Sequence, residues 1–198
     1  MSAGLDLQFV RETYAKMPDQ ELIRIATQDM SGLTEEALVV VREELKRRKL
    51  DTNISKGIDA QRKTWTIGEI DEYCALIQAL PCPVNGSTSR KLNGTQTAEV
   101  VSFVLFTHYK KRIIIASPEA LDKANNNALI RSILLGWWGV PWGIVRTIQA
   151  IVINIKNKRT NDLKTPNDYL RSFVVSRIGE MATYRDQPEK LLEIISNR

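Results

Sequence analysis

The sequence is poor in the residues that build metal and thiol sites, with two cysteines and one histidine among 198 residues. Two cysteines, Cys74 and Cys82, cannot form a disulfide framework, and the opening residues lack the basic and apolar regions of a secretion signal. We therefore expect a reducing, cytoplasmic compartment. A glycine-rich phosphate loop is also missing, and one histidine does not supply a Ser-His-Asp or Cys-His arrangement. The sequence thus predicts a non-enzymatic protein without a cofactor, and an enzyme built from residues without a recognisable motif remains an alternative.

Long apolar runs are missing as well. Between Arg131 and Arg146 lie 14 uncharged residues, whereas a membrane-spanning helix needs about 20. The mean hydropathy of −0.23 excludes a polytopic membrane protein. With 43% apolar and 26% charged residues, the composition is that of a globular chain with one sizeable core or two small ones.

The net charge of +5 is concentrated in two stretches. Residues 1–41 hold 3 basic and 7 acidic residues, residues 42–63 hold 8 and 4, and residues 146–171 hold 6 and 2. Both basic stretches are suited to contact phosphate, of nucleic acid or of lipid. For the run Lys46–Lys49 the alternative is a solvated helix end, whose cations complement the helix dipole.

Apolar periodicity predicts an α+β fold that is mainly α. Thr66-Ile-Gly-Glu69 is a capping-box pattern that opens a helix. Asn93-Gly94 and a turn at His108–Lys111 punctuate β-branched segments, which predicts a three-stranded antiparallel ribbon, with a helix over 98–108 as the alternative. The expected order is a small helical bundle (1–49), a linker (50–65), a helix (66–80), the ribbon (81–120), a Trp-rich apolar helical hairpin (121–156) and C-terminal helices (157–198).

Two similar tetrapeptides flank the predicted ribbon, Cys82-Pro83-Val84-Asn85 and Ser117-Pro118-Glu119-Ala120. Paired Cys-Pro-x-Cys knuckles at the two ends of a ribbon hold zinc through four thiolates. Residues 81–120 therefore resemble a degenerate zinc ribbon. The resemblance implies vestigial ligand positions at Cys82, Asn85, Ser117 and Ala120, of which one carries a thiol. We expect no bound metal and a ribbon held by packing against helices, while a simple turn at residues 82–86 is the alternative.

Three of the four tryptophans lie in Gly136-Trp-Trp-Gly-Val-Pro-Trp-Gly143. Glycine and proline predict two helices that meet at a bend, and clustered tryptophans are typical of membrane interfaces. The motif is similar to one in uncharacterised bacterial proteins, where it follows a zinc-ribbon-like segment, and the resemblance brings no activity with it. The candidate membrane or partner surface comprises Trp137, Trp138, Pro141, Trp142, Lys156, Lys158 and Arg159. The alternative is a buried core or a subunit interface, including one in a homo-oligomer.

These patterns predict an interaction or adaptor protein that docks at a membrane surface, peripherally on its inner face, or on a larger complex. Nucleic-acid binding is the alternative. Its candidate phosphate contacts are Lys46, Arg47, Arg48, Lys49, Arg90, Lys91, Lys110, Lys111 and Arg112. Against this alternative, Phe103 and Phe106 lie in a continuous apolar run that is typical of core rather than of an exposed stacking platform.

Overall fold

A computed structural model of the protein describes residues 7–50, 53–104 and 106–196. It is mainly helical with one two-stranded antiparallel sheet, which confirms the expected mainly-α form of the α+β class. The helices are α1 (Leu7–Lys16), α2 (Asp19–Arg24), α3 (Glu35–Arg47), α4 (Ile54–Arg62), α5 (Ile67–Gln78), α6 (Pro118–Leu135), α7 (Trp142–Lys158), α8 (Asp168–Ser176), α9 (Ile178–Thr183) and α10 (Pro188–Ser196), and the strands are β1 (Asn93–Phe103) and β2 (Phe106–Ala116).

The chain divides into two units. The helical unit comprises the residues up to Thr66 together with Ser176–Gln187. The hairpin unit comprises Ile67–Val175 and the residues from Pro188 onward. Each unit has its own core and is described by itself.

The helical unit follows ordinary amphipathic rules, as α3 illustrates. The Thr34 hydroxyl caps α3 by accepting a hydrogen bond from the Ala37 N–H at 3.3 Å. Val41, near the middle of α3, is fully buried with Leu22 and Ile58 in one apolar cluster. The helices of this unit bury their apolar faces against one another and expose their charged faces to water.

The segment 50–65 is not the expected linker throughout, because α4 occupies Ile54–Arg62. Ile54 and Ile58 lie one helical turn apart and both are buried in the same cluster as Leu22. Gly57 lets α4 approach α9 closely, since a Cβ at Gly57 would lie 2.5 Å from the Gly179 carbonyl oxygen. Sequence patterns did not predict α4, because its apolar positions are too few to show a helical periodicity.

The ribbon has two strands rather than three. β1 pairs with β2 in a register that runs from Asn93–Ala116 to Phe103–Phe106, and residues 89–92 form no strand. Asn93-Gly94 begins β1 instead of forming a hairpin turn. Its glycine serves close packing, since a Cβ at Gly94 would lie 2.5 Å from the Leu170 backbone nitrogen.

The turn of the hairpin also falls elsewhere than expected. Residues 108–111 lie within β2, and the chain reverses beside Val104, which has a positive φ of 35°. The apolar run is therefore a strand that ends in a hairpin tip, not a helix over 98–108. Phe103 and Phe106 are 70% and 79% exposed, so the expectation that they are core is wrong.

Helices α6 and α7 both pack against β1 and against each other. Ala150 of α7 is buried against Ala98 and Val100 of β1. The segment between the two helices contains a cis Val140–Pro141 peptide. β1 thus has a helix pair beside it, and this arrangement positions the surface described next.

Candidate functional site

Helix α7 buries its small and polar residues and exposes its large apolar ones. Its buried positions recur every three or four residues and form one continuous seam: Gly143, Thr147, Ala150, Asn154 and Asn157. The residues between them face outward, with Ile148 52% and Val152 57% exposed. This distribution is the reverse of that on a helix whose outer face meets water.

Helix α6 has the same inverted pattern from Asn125 onward. Asn125 and Ser132 are fully buried, whereas Ile130 and Leu134 are 54% and 64% exposed. Together the two helices present an outer face rich in isoleucine, leucine and valine. Its exposed members are Ile130, Ile133, Leu134, Leu135, Ile144, Val145, Ile148, Val152 and Ile155.

The buried polar side chains of this helix pair satisfy the edge of β1 that faces away from β2. The Asn154 side-chain amide accepts from the Ala98 N–H at 3.2 Å and donates to the Ala98 carbonyl at 2.7 Å. Ser132 Oγ accepts from the Val100 N–H at 3.1 Å. Buried backbone groups need such partners, so these polar residues are structural.

The same edge is sealed further along by two more amides. Asn157 donates to the Gln96 carbonyl at 2.6 Å, and Asn167 donates to the Gly94 carbonyl at 2.6 Å. Four side chains thus replace a neighbouring strand over the even-numbered positions 94–100 of β1. Polar residues are therefore buried between β1 and the helix pair, and large apolar residues lie on the outer face of that pair.

The end of the hairpin unit carries a cluster that we call the apolar tip: Phe103, Val104 and Phe106 of the β-hairpin with Trp137, Trp138, Val140 and Trp142 of the α6–α7 bend. These side chains are between 41% and 79% exposed, and Pro141 between them is exposed too. The bend and the hairpin turn touch, since a Cβ at Gly139 would lie 2.5 Å from Thr107 Oγ1. The structure therefore joins the predicted tryptophans to two phenylalanines that sequence reasoning assigned to the core.

Basic side chains predominate around this surface, and the carboxylate of Glu99 is paired with Arg131. The sequence has no Asp or Glu over residues 100–118 or 123–161. Lys110, Lys111 and Arg112 are exposed on β2, and Lys156 and Arg159 are exposed at the end of α7. Lys158 is half-buried and donates to Asn126 Oδ1 at 3.1 Å. An apolar surface bordered mainly by cations is suited to an anionic lipid layer.

The basic run Lys46–Lys49 serves mainly the helical unit itself. Arg48 has a side chain 14% exposed and donates to the Met17 and Tyr14 carbonyls at 2.6 and 2.8 Å. Arg47 and Arg48 both bind Glu44, and these hydrogen bonds, Arg47's foremost, lower the Glu44 pKa to about 2. Both guanidinium groups are thus engaged by a carboxylate, and the phosphate contacts of Arg47 and Arg48 stay predictions.

The other candidate phosphate contacts outside β2 are Lys46, Lys49, Arg90 and Lys91, and within the described part of the chain only Arg90 is ion-paired among them. Arg90 makes ion pairs with Glu119 and Asp162, and its phosphate contact stays a prediction. Lys49 ends α3 with a φ of 54°, the left-handed conformation common after a helix. Lys46, Lys49 and Lys91 are exposed.

The two tetrapeptides on which the zinc-ribbon resemblance rests are joined by a hydrogen bond. Cys82 Sγ accepts a hydrogen bond from the Ser117 N–H at 3.3 Å, and the Gly86 N–H donates to the Cys82 carbonyl at 2.8 Å. Burial raises the Cys82 pKa, but N–H donors from Ser117 and nearby backbone outweigh it, so the net shift is downward. Asn85 is exposed and Ala120 has no ligand atom. Among the described residues, no group of three or more His, Cys, Asp or Glu converges as metal ligands would.

No protein-family model, curated protein or solved structure matches this chain. Among the described helices, none combines the length and the apolarity that crossing a membrane requires. The geometry of the hairpin unit is therefore the basis for assigning a function.

The feature that sequence reasoning missed is the inverted face of α6 and α7. A signal for it is present, because Gly143, Thr147, Ala150, Asn154 and Asn157 recur with alternating spacings of four and three. A seam of small and polar residues beside isoleucine and valine is typical of helices whose outer face meets lipid. That pattern, combined with the tryptophan bend, would have favoured an exposed apolar surface.

Proposed function

We propose that the protein docks reversibly on an anionic membrane surface, on its cytoplasmic side, with the apolar tip entering the interface. The observation that carries this proposal is the inverted face of α6 and α7, which bury amides against β1 and, with the apolar tip, expose aliphatic and aromatic side chains. Protein in contact with water rarely exposes a large contiguous apolar patch without a partner.

The composition of the apolar tip favours a lipid interface over a protein groove. Tryptophan combines a large apolar ring with an N–H that remains hydrated at headgroup level. The Trp138 N–H already bonds the Leu134 carbonyl at 3.2 Å, so this ring needs no polar partner as it enters an apolar layer.

The expected affinity is that of a peripheral protein. Three tryptophans and two phenylalanines, at about 1.5 kcal/mol each, offer on the order of 7 kcal/mol. This resembles the contribution of a single acyl chain, which gives only reversible binding. Cations near the surface each add about 1 kcal/mol toward anionic lipid. Stable docking should therefore require both the apolar tip and negative headgroups.

Flotation with vesicles tests the proposal. The protein should float with vesicles that contain anionic phospholipid and float less with vesicles of phosphatidylcholine alone. Replacing Trp137, Trp138 and Trp142 together by Ala should weaken binding by more than about tenfold. Phe9→Ala is the matched control, since Phe9 is 68% exposed in the helical unit and its loss should leave flotation unchanged.

Two results would contradict the proposal. Wild-type protein that stays with the soluble fraction at every lipid composition would exclude docking on membranes. Equal losses from the triple tryptophan variant and from Phe9→Ala would show that binding does not depend on the apolar tip. Concentration-dependent light scattering that disappears in the tryptophan variant would instead assign the tip to contact with a second protein chain.

A second candidate function is binding of single-stranded nucleic acid. The exposure of Phe103 and Phe106 beside Lys110, Lys111 and Arg112 favours it, because exposed aromatics and cations on a strand form a stacking platform. Such binding would weaken steeply as salt rises. It predicts that Lys110→Gln and Lys111→Gln abolish nucleic-acid binding while the tryptophan variants retain it.

A further inference from the structure

A cavity of about 600 Å³ opens between the hairpin turn and the first turn of α7. Its polar wall is formed by His108, Tyr109 and Arg146, and its other wall by Val104, Val140 and Trp142. The last three residues border or belong to the apolar tip, so the cavity opens where the proposed function places the interface. We infer that this cavity binds the phosphate headgroup of an anionic phospholipid, an inference that rests on the proposed membrane docking.

Arg146 is the centre of the polar wall. Its guanidinium group lies 5.2 Å from the centroid of the Tyr109 ring and donates to Gln149 Oε1 at 3.1 Å. Within the described parts of the chain, no carboxylate lies at ion-pair distance from it. A guanidinium has five N–H donors in a planar fork that fits phosphate oxygens. The side chain is held in place and still has donors for an anion.

Other groups around Tyr109 point to the same ligand charge. Lys111 Nζ lies 5.5 Å from the Tyr109 ring centroid, so this ring has two cations beside it. The Tyr109 hydroxyl oxygen is buried and lacks a hydrogen-bond partner among the described residues. A ligand oxygen that reaches this hydroxyl would supply that partner close to the Arg146 guanidinium.

The apolar wall distinguishes a lipid from free phosphate. A phosphate ion fills a small part of a cavity of about 600 Å³ and makes no use of Val140 or Trp142. A phospholipid places its phosphate at Arg146 and its glycerol and first acyl carbons along these residues. One ligand then satisfies both walls of the cavity.

Nuclear magnetic resonance of His108, the single histidine of the chain, reports directly on this cavity. Short-chain phosphatidic acid, added below its micelle concentration, should shift the His108 ring signals saturably. Inorganic phosphate should bind at least tenfold more weakly, and short-chain phosphatidylcholine should bind more weakly than phosphatidic acid. Equal affinity for inorganic phosphate and phosphatidic acid, or no saturable shift, would overturn the inference.

The matched variants are Arg146→Gln and Arg131→Gln, which each remove one positive charge. Arg131 is 64% exposed and pairs with Glu99 at 3.6 Å, away from the cavity wall. Arg146→Gln should weaken phosphatidic acid binding at least tenfold, whereas Arg131→Gln should change it less than twofold. Equal losses from both variants would show unspecific attraction and would overturn the inference.

Two further variants keep the test valid if Arg146→Gln unfolds. Arg146→Lys retains the charge without the fork and should lose more affinity than Arg131→Gln, while Tyr109→Phe retains the ring and should lose about threefold. Unchanged binding in both would overturn the inference. Failure of the cavity is distinguishable from failure of docking: tip-dependent flotation without a His108 shift rejects only the cavity, and a His108 shift without flotation rejects only the docking.

Discussion

Helices α3 and α7 bury opposite kinds of residue. In α3 the buried residues include Leu38, Val41 and Leu45, and the exposed ones are mostly charged. In α7 the buried residues are glycine, alanine, threonine and asparagine, and the exposed ones are mostly isoleucine and valine. The core of the helical unit is stabilised by removing apolar area from water, whereas the contact of α7 with β1 combines the packing of Ala150 with amide hydrogen bonds.

This difference shows that the position of the small residues indicates the environment of a helix. Small residues on the buried face leave the large apolar residues on the outer face. α3 has the pattern expected of a helix that borders water. α7 has the pattern expected of a helix whose outer face borders an apolar phase, although it contains only 17 residues. Substitutions, acid and a chelator, each applied in the absence of lipid, probe one unit or the other.

The largest expected effect is that of Asn154→Ala in the hairpin unit. This change leaves the buried N–H and C=O of Ala98 without the amide, so it should lower the free energy of unfolding by about 3 kcal/mol. Ile155→Ala, one position along and 48% exposed, should change it by less than about 0.5 kcal/mol. Urea denaturation measures both. A larger loss from Ile155→Ala would contradict the inverted pattern.

The converse holds for α3. Val41→Ala removes a fully buried side chain and should lower the free energy of unfolding of the helical unit by about 2 kcal/mol. Val39→Ala is the same substitution at a position 50% exposed, and it should cost less than about 0.5 kcal/mol. Trp65 fluorescence in a background with Trp137, Trp138 and Trp142 changed to Phe reports on this unit. Similar values for the two valines would show that α3 does not bury the face described.

A smaller effect is expected from acid. The Glu44 pKa is lowered to about 2 by hydrogen bonds from Arg47 and Arg48, so the ionised form stabilises the folded helical unit. This contribution is complete above the pKa of the unfolded chain, about 4.3, and is lost as the pH falls toward 2. Between pH 6 and 2.5, wild type should lose about 1.5 kcal/mol more stability than Glu44→Gln, as read from Trp65. Parallel pH curves for the two proteins would contradict this assignment.

The smallest expected effect is that of a metal chelator on the hairpin unit. Because Asn154, Ser132, Asn157 and Asn167 hold β1, and because one vestigial position is an alanine, zinc should not be needed. Chelation should shift the melting temperature by less than about 1 °C, whereas removal of a structural zinc unfolds small domains. Elemental analysis that finds one zinc per chain would overturn this prediction.

Sequence patterns predicted those parts of the fold that depend on neighbouring residues. The capping-box pattern at Thr66 predicted α5, and the glycine-rich tryptophan motif predicted the bend between α6 and α7. Strand number was wrong because Asn93-Gly94, usually a turn, instead packs against residues 169–170. The buried amides were out of reach for a physical reason: Asn154 acts on Ala98, 56 residues away. A local sequence pattern does not predict which distant backbone group a side-chain amide will bind.

The candidate site was predicted in part. The tryptophans and the cations at the end of α7 were expected from composition, and they remain part of the proposed docking surface. The partners of Arg48 could not be predicted, because Glu44 lies one helical turn away and the Tyr14 carbonyl belongs to α1. Phe103 was misread because an apolar run looks alike in a core and at a hairpin tip.

The hydrogen-bonded edge of β1 has a consequence for aggregation. An open strand edge is a template on which further chains can polymerise, and the risk grows when apolar side chains lie beside it. Here Asn154, Ser132 and Asn157 occupy the groups that an incoming strand would use, and the lysines of β2 discourage pairing on the opposite side. The occupied edge therefore disfavours fibril formation by a protein whose isoleucine and tryptophan side chains are exposed.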